Sequence, residues 1–588
     1  KLGQSESHWM DGHPVERSNF MERRMFALWC VVAGLIVGLA GNMLFYGQMI
    51  GLSFLIYSVI CLLVLFVVAR AAKTRLNPRN LWLVLPLLFF ASMVMFRANA
   101  YLITINVLAT TGLGLLIMHY ATATHPLDTE SLGELVGAAS AASIRSVTDT
   151  PMEIGDSWRY IRETGLQQRQ GTIAFGRGLL LTIPVLLVFA VLLASADQVF
   201  GKYLDSFFSA LSLSNFDDFM GRAILTLSLG WVAIGGLSYA LARRQFDRPQ
   251  VTKPTLVVSR PAAATPPIDQ ESPAVEGTDT LETAPAATPI AVDEPAKRKN
   301  TPIQLTMIET TMMLGSVNVL FAAFVVIQFA YLFGGQTNIN TEGFTYAEYA
   351  RRGFWELLAV TMLSLGMGLF LDWVTIRRGT REINLFRGLA VVLSALVGVL
   401  IFSASQRMSL YEQVYGFTDD RVFVSLFIFW VGLLFPAFLL HLFRVRQNIF
   451  ALAVLLVTIG YTGHINLLNY DLYIAQHNID RYYETGKLDV CYLETLSVDA
   501  LPAILTLREE ARENNPTLFA QINSGLMSML YNVTNERRWT TTFSYNTARD
   551  NAWYSLQAIR PELDANEFVS CYDYDPDNSY GRRDSLSR

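Results

Sequence analysis

Few side chains in this sequence stand where a proton, an ion or a nucleophile could be handled. Glu356 lies one turn inside the apolar run Phe354 to Leu371, Glu309 and Asp372 sit at the ends of two such runs, and Asn106, Asn318, Gln328 and His464 are polar groups embedded in others. Coupled transport generally needs ionisable groups deep in an apolar layer. These runs are almost bare of them, so the expected roles are interfacial ion pairing for the carboxylates and interhelical hydrogen bonding for the amides. The seven histidines show no HExxH spacing, and the sequence has neither a phosphate-binding glycine loop nor a nucleophile elbow. Asp573, Asp575, Asp577 and Asp584 match positions 1, 3, 5 and 12 of a calcium-loop template. Position 6 is Asn578 rather than glycine and position 4 is Pro576, so a solvated acidic tail is the better reading and no metal is assigned. No cofactor is expected.

The elements that would position these groups are helices in a membrane. Of 588 residues, 52% are hydrophobic and 16% charged, against about a quarter charged in soluble chains. The apolar residues are gathered into runs over Phe26–Tyr46, Ile50–Ala69, Leu81–Phe96, Ala98–His119, Leu179–Ala196, Ala223–Ala242, Thr310–Phe333, Phe354–Leu371, Leu389–Gln406, Val422–Leu442 and Ile449–Tyr470. Most have the length a bilayer core demands, so the expected fold class is all-α, a polytopic transmembrane bundle of about eleven spans. Basic residues then fall at alternate connections: Arg23 and Arg24, Lys73 to Arg79, Arg145 to Arg177, Arg243 to Lys299, Arg377 to Arg387, and Arg444 with Arg446. The positive-inside rule makes those connections cytoplasmic, with the N-terminus inside and the C-terminus outside. The first 24 positions are too polar for a cleaved signal, so the first span is expected to act as the insertion signal.

The organisation that follows is a cytoplasmic tail (1–24), a front bundle of about six spans (25–245) with a cytoplasmic segment (120–177), a linker (246–303), a back bundle of about five spans (304–470) and an extracytoplasmic helical domain (471–588). The linker is rich in proline, alanine and acidic residues and buries too little apolar surface to order itself. Val199 to Leu211 has apolar residues at helical spacing and reads as a helix lying at the interface, and Phe344, Tyr346, Tyr349, Phe354 and Trp355 read as an aromatic belt. Pro86, Pro184 and Pro436 should kink their spans, and Gly34 with Gly38 should let a neighbouring helix approach closely. The C-terminal region carries 18 acidic and 11 basic side chains and reads as helices over Tyr473–Tyr483, Asp499–Glu513, Pro516–Tyr531 and Asn546–Arg560. Placed outside, its Cys491 and Cys571 are expected to form a disulfide, while Cys30 and Cys61 read as packing residues. The net charge of −5 gives no reason to expect nucleic acid.

YARRGFWELL at Tyr349 to Leu358, RMSLYEQVYGFTDDR at Arg407 to Arg421, and NIDRYYETGKLDVCYLETLSVDALPAIL from Asn478 resemble the bacterial multi-pass membrane proteins grouped as domain of unknown function 4173, with the related group 4153. The resemblance covers roughly Thr310 to Leu507, with weaker echoes at Arg97 and Asn106. It implies a bacterial cytoplasmic (inner) membrane protein and carries no activity. The matched positions Arg351, Arg407, Tyr411, Glu412, Tyr415, Arg421 and Asp499 lie at or near the outer face in this threading, and RMSLYEQVYGFTDDR is expected to be a surface loop. Their chemistry suits a platform on which outer loops dock the C-terminal domain. The expected function is non-enzymatic sensing, binding or scaffolding, with the bilayer and an envelope protein or lipid as partners. The alternative is a transporter or lipid-handling protein with a site between the halves. An enzyme would need Glu356, Glu412 or Asp499 converging in a pocket.

Overall fold

The computed structural model describes residues 14–123, 126–163, 216–242, 305–333, 346–443, 448–537 and 541–565. Among them regular structure is helical, apart from one isolated bridge between Leu305 and Thr375. Nine stretches are long and apolar enough to cross a membrane. They are carried by α1 (Pro14–Phe45), α2 (Leu52–Ala71), α4 (Ala100–Tyr120), α7 (Phe216–Ala242), α8 (Met307–Phe333), α9 (Tyr346–Val374), α10 (Thr380–Tyr415), the pair α11 (Asp419–Gly432) and α12 (Leu434–Leu442), and α13 (Ile449–Leu468). A shorter apolar helix, α3 (Val84–Phe96), follows a 3-10 turn at Leu81–Leu83. The span expected at Leu179 to Ala196, the amphipathic stretch at Val199 to Leu211 and the 246–303 linker lie outside the described residues.

The helices turn large apolar side chains outward. Leu85 is 79% exposed, Leu363 72% and Val319 71%. In water such faces would drive association, and against acyl chains they cost nothing, so these helices suggest a membrane-embedded protein.

Small residues set a close contact between α1 and α7. A Cβ added to Gly34 would meet the Ile234 side chain, and one added to Gly38 would meet the Thr226 carbonyl, so α1 and α7 touch nearly backbone to backbone and run antiparallel. Tyr46 at the end of α1 donates to Asp218 near the start of α7 at 3.2 Å, which confirms the register. The kink expected at Pro436 is a break: α11 ends at Gly432 and α12 begins at Leu434, because proline has no N–H to give the preceding turn. Pro86 instead lies in the first turn of α3, where that missing donor is harmless.

Two expectations need correction. Most of RMSLYEQVYGFTDDR is not loop: α10 continues through Arg407 to Tyr415 and stops at Gly416, which takes φ +82. At 36 residues and 1.5 Å per residue, α10 is about 54 Å long, more than a ~30 Å apolar layer, so it projects at its ends. The last span stops at Leu468 rather than Tyr470, because Asn469 adopts φ +51 and starts a new helix.

That helix, α14 (Tyr470–Thr485), is followed by α15 (Val490–Thr495), α16 (Leu501–Asn514), α17 (Pro516–Arg537) and α18 (Thr547–Asp564). These C-terminal helices share one core with the spans: Leu102, Val422 and Ile465 belong to the same cluster as Ile474, Leu507, Leu526 and Leu556. Within the cap, the fully buried Arg508 donates to Asn523 at 2.6 Å and Glu562 at 2.6 Å, tying α16 to α17 and α18. At the opposite end of the bundle, buried Asn80 donates to the Tyr120 carbonyl at 3.0 Å and accepts from Leu127 at 2.9 Å. Between α4 and α7 lie two further helices, α5 (Leu132–Thr148) and α6 (Thr150–Glu163), in the segment expected to be a cytoplasmic connection.

Candidate functional site

Three connections at one end of the bundle are held by the C-terminal helices. Between α1 and α2, Leu52 donates its N–H to the Tyr545 carbonyl at 2.9 Å and Thr541 donates to Gln48 at 2.7 Å. Between α3 and α4, the turn Arg97–Asn99 enters a buried polar cluster. Between α10 and α11, Gly416 to Asp419 meets α14 and α15.

The second connection concentrates the ionisable groups. Arg97 ends α3 in an extended conformation, and its Nε donates at 2.9 Å to the carbonyl of Asn466 in the last turn of α13. Another guanidinium nitrogen lies 3.9 Å from Asp499. Asp499 also accepts from the backbone N–H of Ala98 at 2.8 Å and of Asn99 at 3.3 Å, just before α4 begins. The arrangement follows the helix dipoles, with a cation at one C-terminus and a carboxylate at one N-terminus. Asn99 caps α4 with its side-chain oxygen and donates its amide to Asp471 at 2.9 Å. Ser497 reaches both Asp471 and Asp499. Asn546 donates to the carbonyls of Val94 at 3.1 Å and Arg97 at 2.8 Å, satisfying acceptors that the end of α3 leaves orphaned.

Asp471 is buried, and its second carboxylate oxygen has no hydrogen-bond partner. Burial pushes its pKa up to about 6, against the opposing pull of Ser497 and Asn99, with Asp419 and Asp499 raising it further. Burial also lowers the affinity of Arg97 for its proton, partly offset by Asp499 and Asp471. The cluster therefore sets two carboxylates against one guanidinium in a nearly dry site.

The third connection is made mostly of caps. Asn478 on α14 accepts from the Phe417 N–H at 2.7 Å and donates to its carbonyl at 2.9 Å. Arg481 donates to the Gln413 carbonyl at 2.9 Å and to that of Val414, so α14 supplies the cation for the C-terminus of α10. Tyr492 on α15 accepts from the Asp419 N–H at 3.0 Å.

Of the residues singled out in the sequence, Asp499 falls in the Arg97 cluster. Arg421, Tyr411 and Tyr415 meet beside Gly416: the Arg421 guanidinium stacks on Tyr411 at 4.3 Å, and Tyr411 and Tyr415 pair at 4.9 Å. Glu412 is buried and accepts from Ser425 at 3.0 Å, and Arg407 is buried in the same helix. Glu356 is exposed, so the three carboxylates of the enzyme reading are held in separate environments. Asn106 pairs reciprocally with Asn466 at 2.8 Å, Asn318 donates to the Leu389 carbonyl at 3.0 Å, and His464 accepts from Trp430 at 3.2 Å. Glu309 caps Thr306, while Asp372 pairs with Arg377 and lies 3.4 Å from His441. Cys491 is disulfide-bonded, and Cys30 and Cys61 are free. Cys571, Asp573, Asp575, Asp577 and the side chains of Arg351 and Gln328 lie outside the described residues. Among the described residues no group of three His, Cys, Asp or Glu is placed to hold a metal ion.

Asp471, Asn99, Ser497, Asn466 and Asn546 escaped the sequence reading. The available signal was the clustering of Asn466, Asn469 and Asp471 within NLLNYD at the end of an apolar run.

Fold and site together define a multi-pass, all-helical membrane protein whose last helices are stitched to connections at one end of its bundle. The chain belongs to the family described as Domain of unknown function (DUF4153), which matches residues 84–507. That is the second of the two related groups its motifs resemble, and the match spans Arg97, Asp471 and Asp499 but not Asn546. No curated protein and no solved structure matches the chain.

Proposed function

We propose that this is an eleven-span protein of the bacterial cytoplasmic membrane whose C-terminal helices form an extracytoplasmic cap, and that it works without catalysis, as a sensing or scaffolding protein. The observation that carries this reading is the latch of Arg97, Asp471 and Asp499. Arg97, Asp499 and one oxygen of Asp471 join cap to spans, and the apolar packing of cap and spans is continuous. The intramembrane amides favour it over a transporter at one place: Asn106 is consumed by Asn466, whereas Asn318 gives its amide to a backbone carbonyl and keeps a buried oxygen without a hydrogen-bond partner.

The threading has geometric support. The connections after α1, α3 and α10 meet the cap, and the described basic connections, Lys73 to Arg79 and Arg377 to Arg387, join the opposite ends of their helices. Helix α6 leads away from Trp231 toward Arg23, whereas α7 begins beside Tyr46, and this separation supports reading Leu179 to Ala196 as a fifth span. The linker is read as a disordered cytoplasmic tether, Cys571 as the disulfide partner of Cys491, and the 4173 group as a near relative.

Two measurements test the proposal. A phosphatase reporter that is active only outside the cytoplasm, fused after Arg588, should be active, and an inactive fusion with a bright cytosolic reporter overturns the threading. Photo-crosslinking from the exposed cap residues Tyr531 and Tyr554 in intact cells should trap an envelope protein or lipid. Uptake or efflux by the purified protein in vesicles, with no crosslink, would instead establish the transporter.

A further inference from the structure

Helices α5 and α6 form an antiparallel hairpin whose turn lies against the middle of α7. Thr150 donates to the Trp231 carbonyl at 2.8 Å, and the Trp231 indole donates to the Val147 carbonyl at 2.9 Å. A Cβ on Gly235 would strike the Ser146 carbonyl, so the turn approaches the α7 backbone itself. The α7 span runs from Asp218 to Leu241. Trp231 is therefore roughly 15 Å from the Leu241 end at 1.5 Å per residue, about half of a ~30 Å apolar layer. On α1 the same level is marked by Gly34, which packs on Gly230 and Ile234 midway along the Arg23–Phe45 span.

We propose that the α5–α6 hairpin is re-entrant: it enters the bilayer from the Arg23 side, turns at Asp149 near mid-depth, returns to the same side, and presents its outer face to acyl chains. That face carries Leu132, Val136, Ile144, Val147, Met152 and Ile154, all exposed, with Val136 at 62% and Ile144 at 63%. It continues the outward apolar surface of the neighbouring spans α1 and α7, where Leu35, Leu39 and Val232 are exposed in the same way. Glu134, Arg145 and Thr148 are exposed as well, the exposed Ser140 and Ser143 hydroxyls return to the Val136 and Ala139 carbonyls, and other polar groups turn inward. Buried Glu153 accepts from Ser238 at 2.7 Å, Asp156 pairs with Arg23 at 3.4 Å, and the Arg145 guanidinium lies 5.7 Å from the Tyr239 ring, two turns nearer the membrane surface than Trp231. Backbone at membrane depth is tolerated only when protein satisfies it. Here Asp149 donates to the Arg145 carbonyl, Glu153 to that of Asp149, and the Val147 carbonyl has its indole. This inference rests on the membrane reading of the spans and leaves the direction of threading open.

The test is nitroxide depth profiling of the full chain in phosphatidylcholine vesicles, with Cys30 and Cys61 replaced by alanine. Single sites Leu132→Cys, Val136→Cys, Ile144→Cys, Val147→Cys and Ile154→Cys are labelled, with Leu363→Cys as a span reference and Glu484→Cys as an aqueous one. The oxygen-to-nickel collision ratio should rise several-fold from Leu132 to Val147 and fall again at Ile154. Ratios like that of Glu484 along the hairpin overturn the proposal, as does exclusion of both quenchers, which would mean that protein covers the face. A Leu363 site that reads as aqueous would break the membrane reading itself, separating the two failures.

Discussion

The cap meets the bundle along two seams built on different physics. At the Arg97 seam, two buried carboxylates and a half-buried guanidinium are set among backbone dipoles, and removing one member strands the others. At the Gly416 seam the joins are caps, with Asn478 and Arg481 satisfying the last carbonyls and first amides of a helix break close to solvent. Both seams are specific. The first stores a large electrostatic penalty that its partners cancel, whereas the second is a sum of modest terms, so the two should fail differently.

The sharpest way to break the comparison is Arg97→Gln. Removing one partner of a buried ionic group costs about 3–5 kcal/mol. Hydrogen exchange in α14 and α16 should accelerate correspondingly while α8 to α10 stay protected, and unchanged exchange would reduce the seam to packing. Asn546→Ala comes next, freeing two buried carbonyls at about 1–3 kcal/mol. It should loosen α18 and its contact with α3 in the same experiment.

The seams should also differ in pH response. Asp471 in the latched state holds its proton up to about 6, above the ordinary carboxylate range. Protonation therefore favours the latch. Its contribution is complete below about pH 4 and is lost as pH rises through about 6. Cap release measured at pH 7.5 and pH 5 should differ by about tenfold, tighter at pH 5. Asp471→Asn should abolish the difference, and a persistent response would move the titration to another group. The smallest effect is expected from Arg481→Gln, about 0.3–1 kcal/mol for a cation at a helix C-terminus. It should raise exchange at the C-terminal turn of α10 and in α14 and leave the pH response intact.

The nine candidate spans among the described residues were legible in the sequence because an apolar run of bilayer length has few other meanings, and the C-terminal helices because caps and prolines mark their starts. Pro516 does open α17, and Asn546 caps α18. The latch was legible only in part. Asp499 stood in a recognisable motif and Arg97 was a faint echo, but Asp471 looks like any acidic residue at the end of a span. What gives it meaning is Asn99, 372 positions away, and no local periodicity carries a pairing at that distance. RMSLYEQVYGFTDDR misled for a related reason: its polarity marks a surface, yet polar residues continue a helix as readily as they end one, and only Gly416 marks the stop.

The contact between Gln48 and Thr541 joins positions 493 apart, and that separation has a consequence for biogenesis. At about 5–20 residues per second, the turn between the first two spans waits on the order of half a minute or more for its partner to leave the ribosome. Until then the front half sits in the bilayer with Gln48 and the turn at Arg97 lacking their final ligands. A ribosome that stalls before Asp471 would leave an inserted but uncapped chain, one that quality-control proteases could recognise by its bare turns.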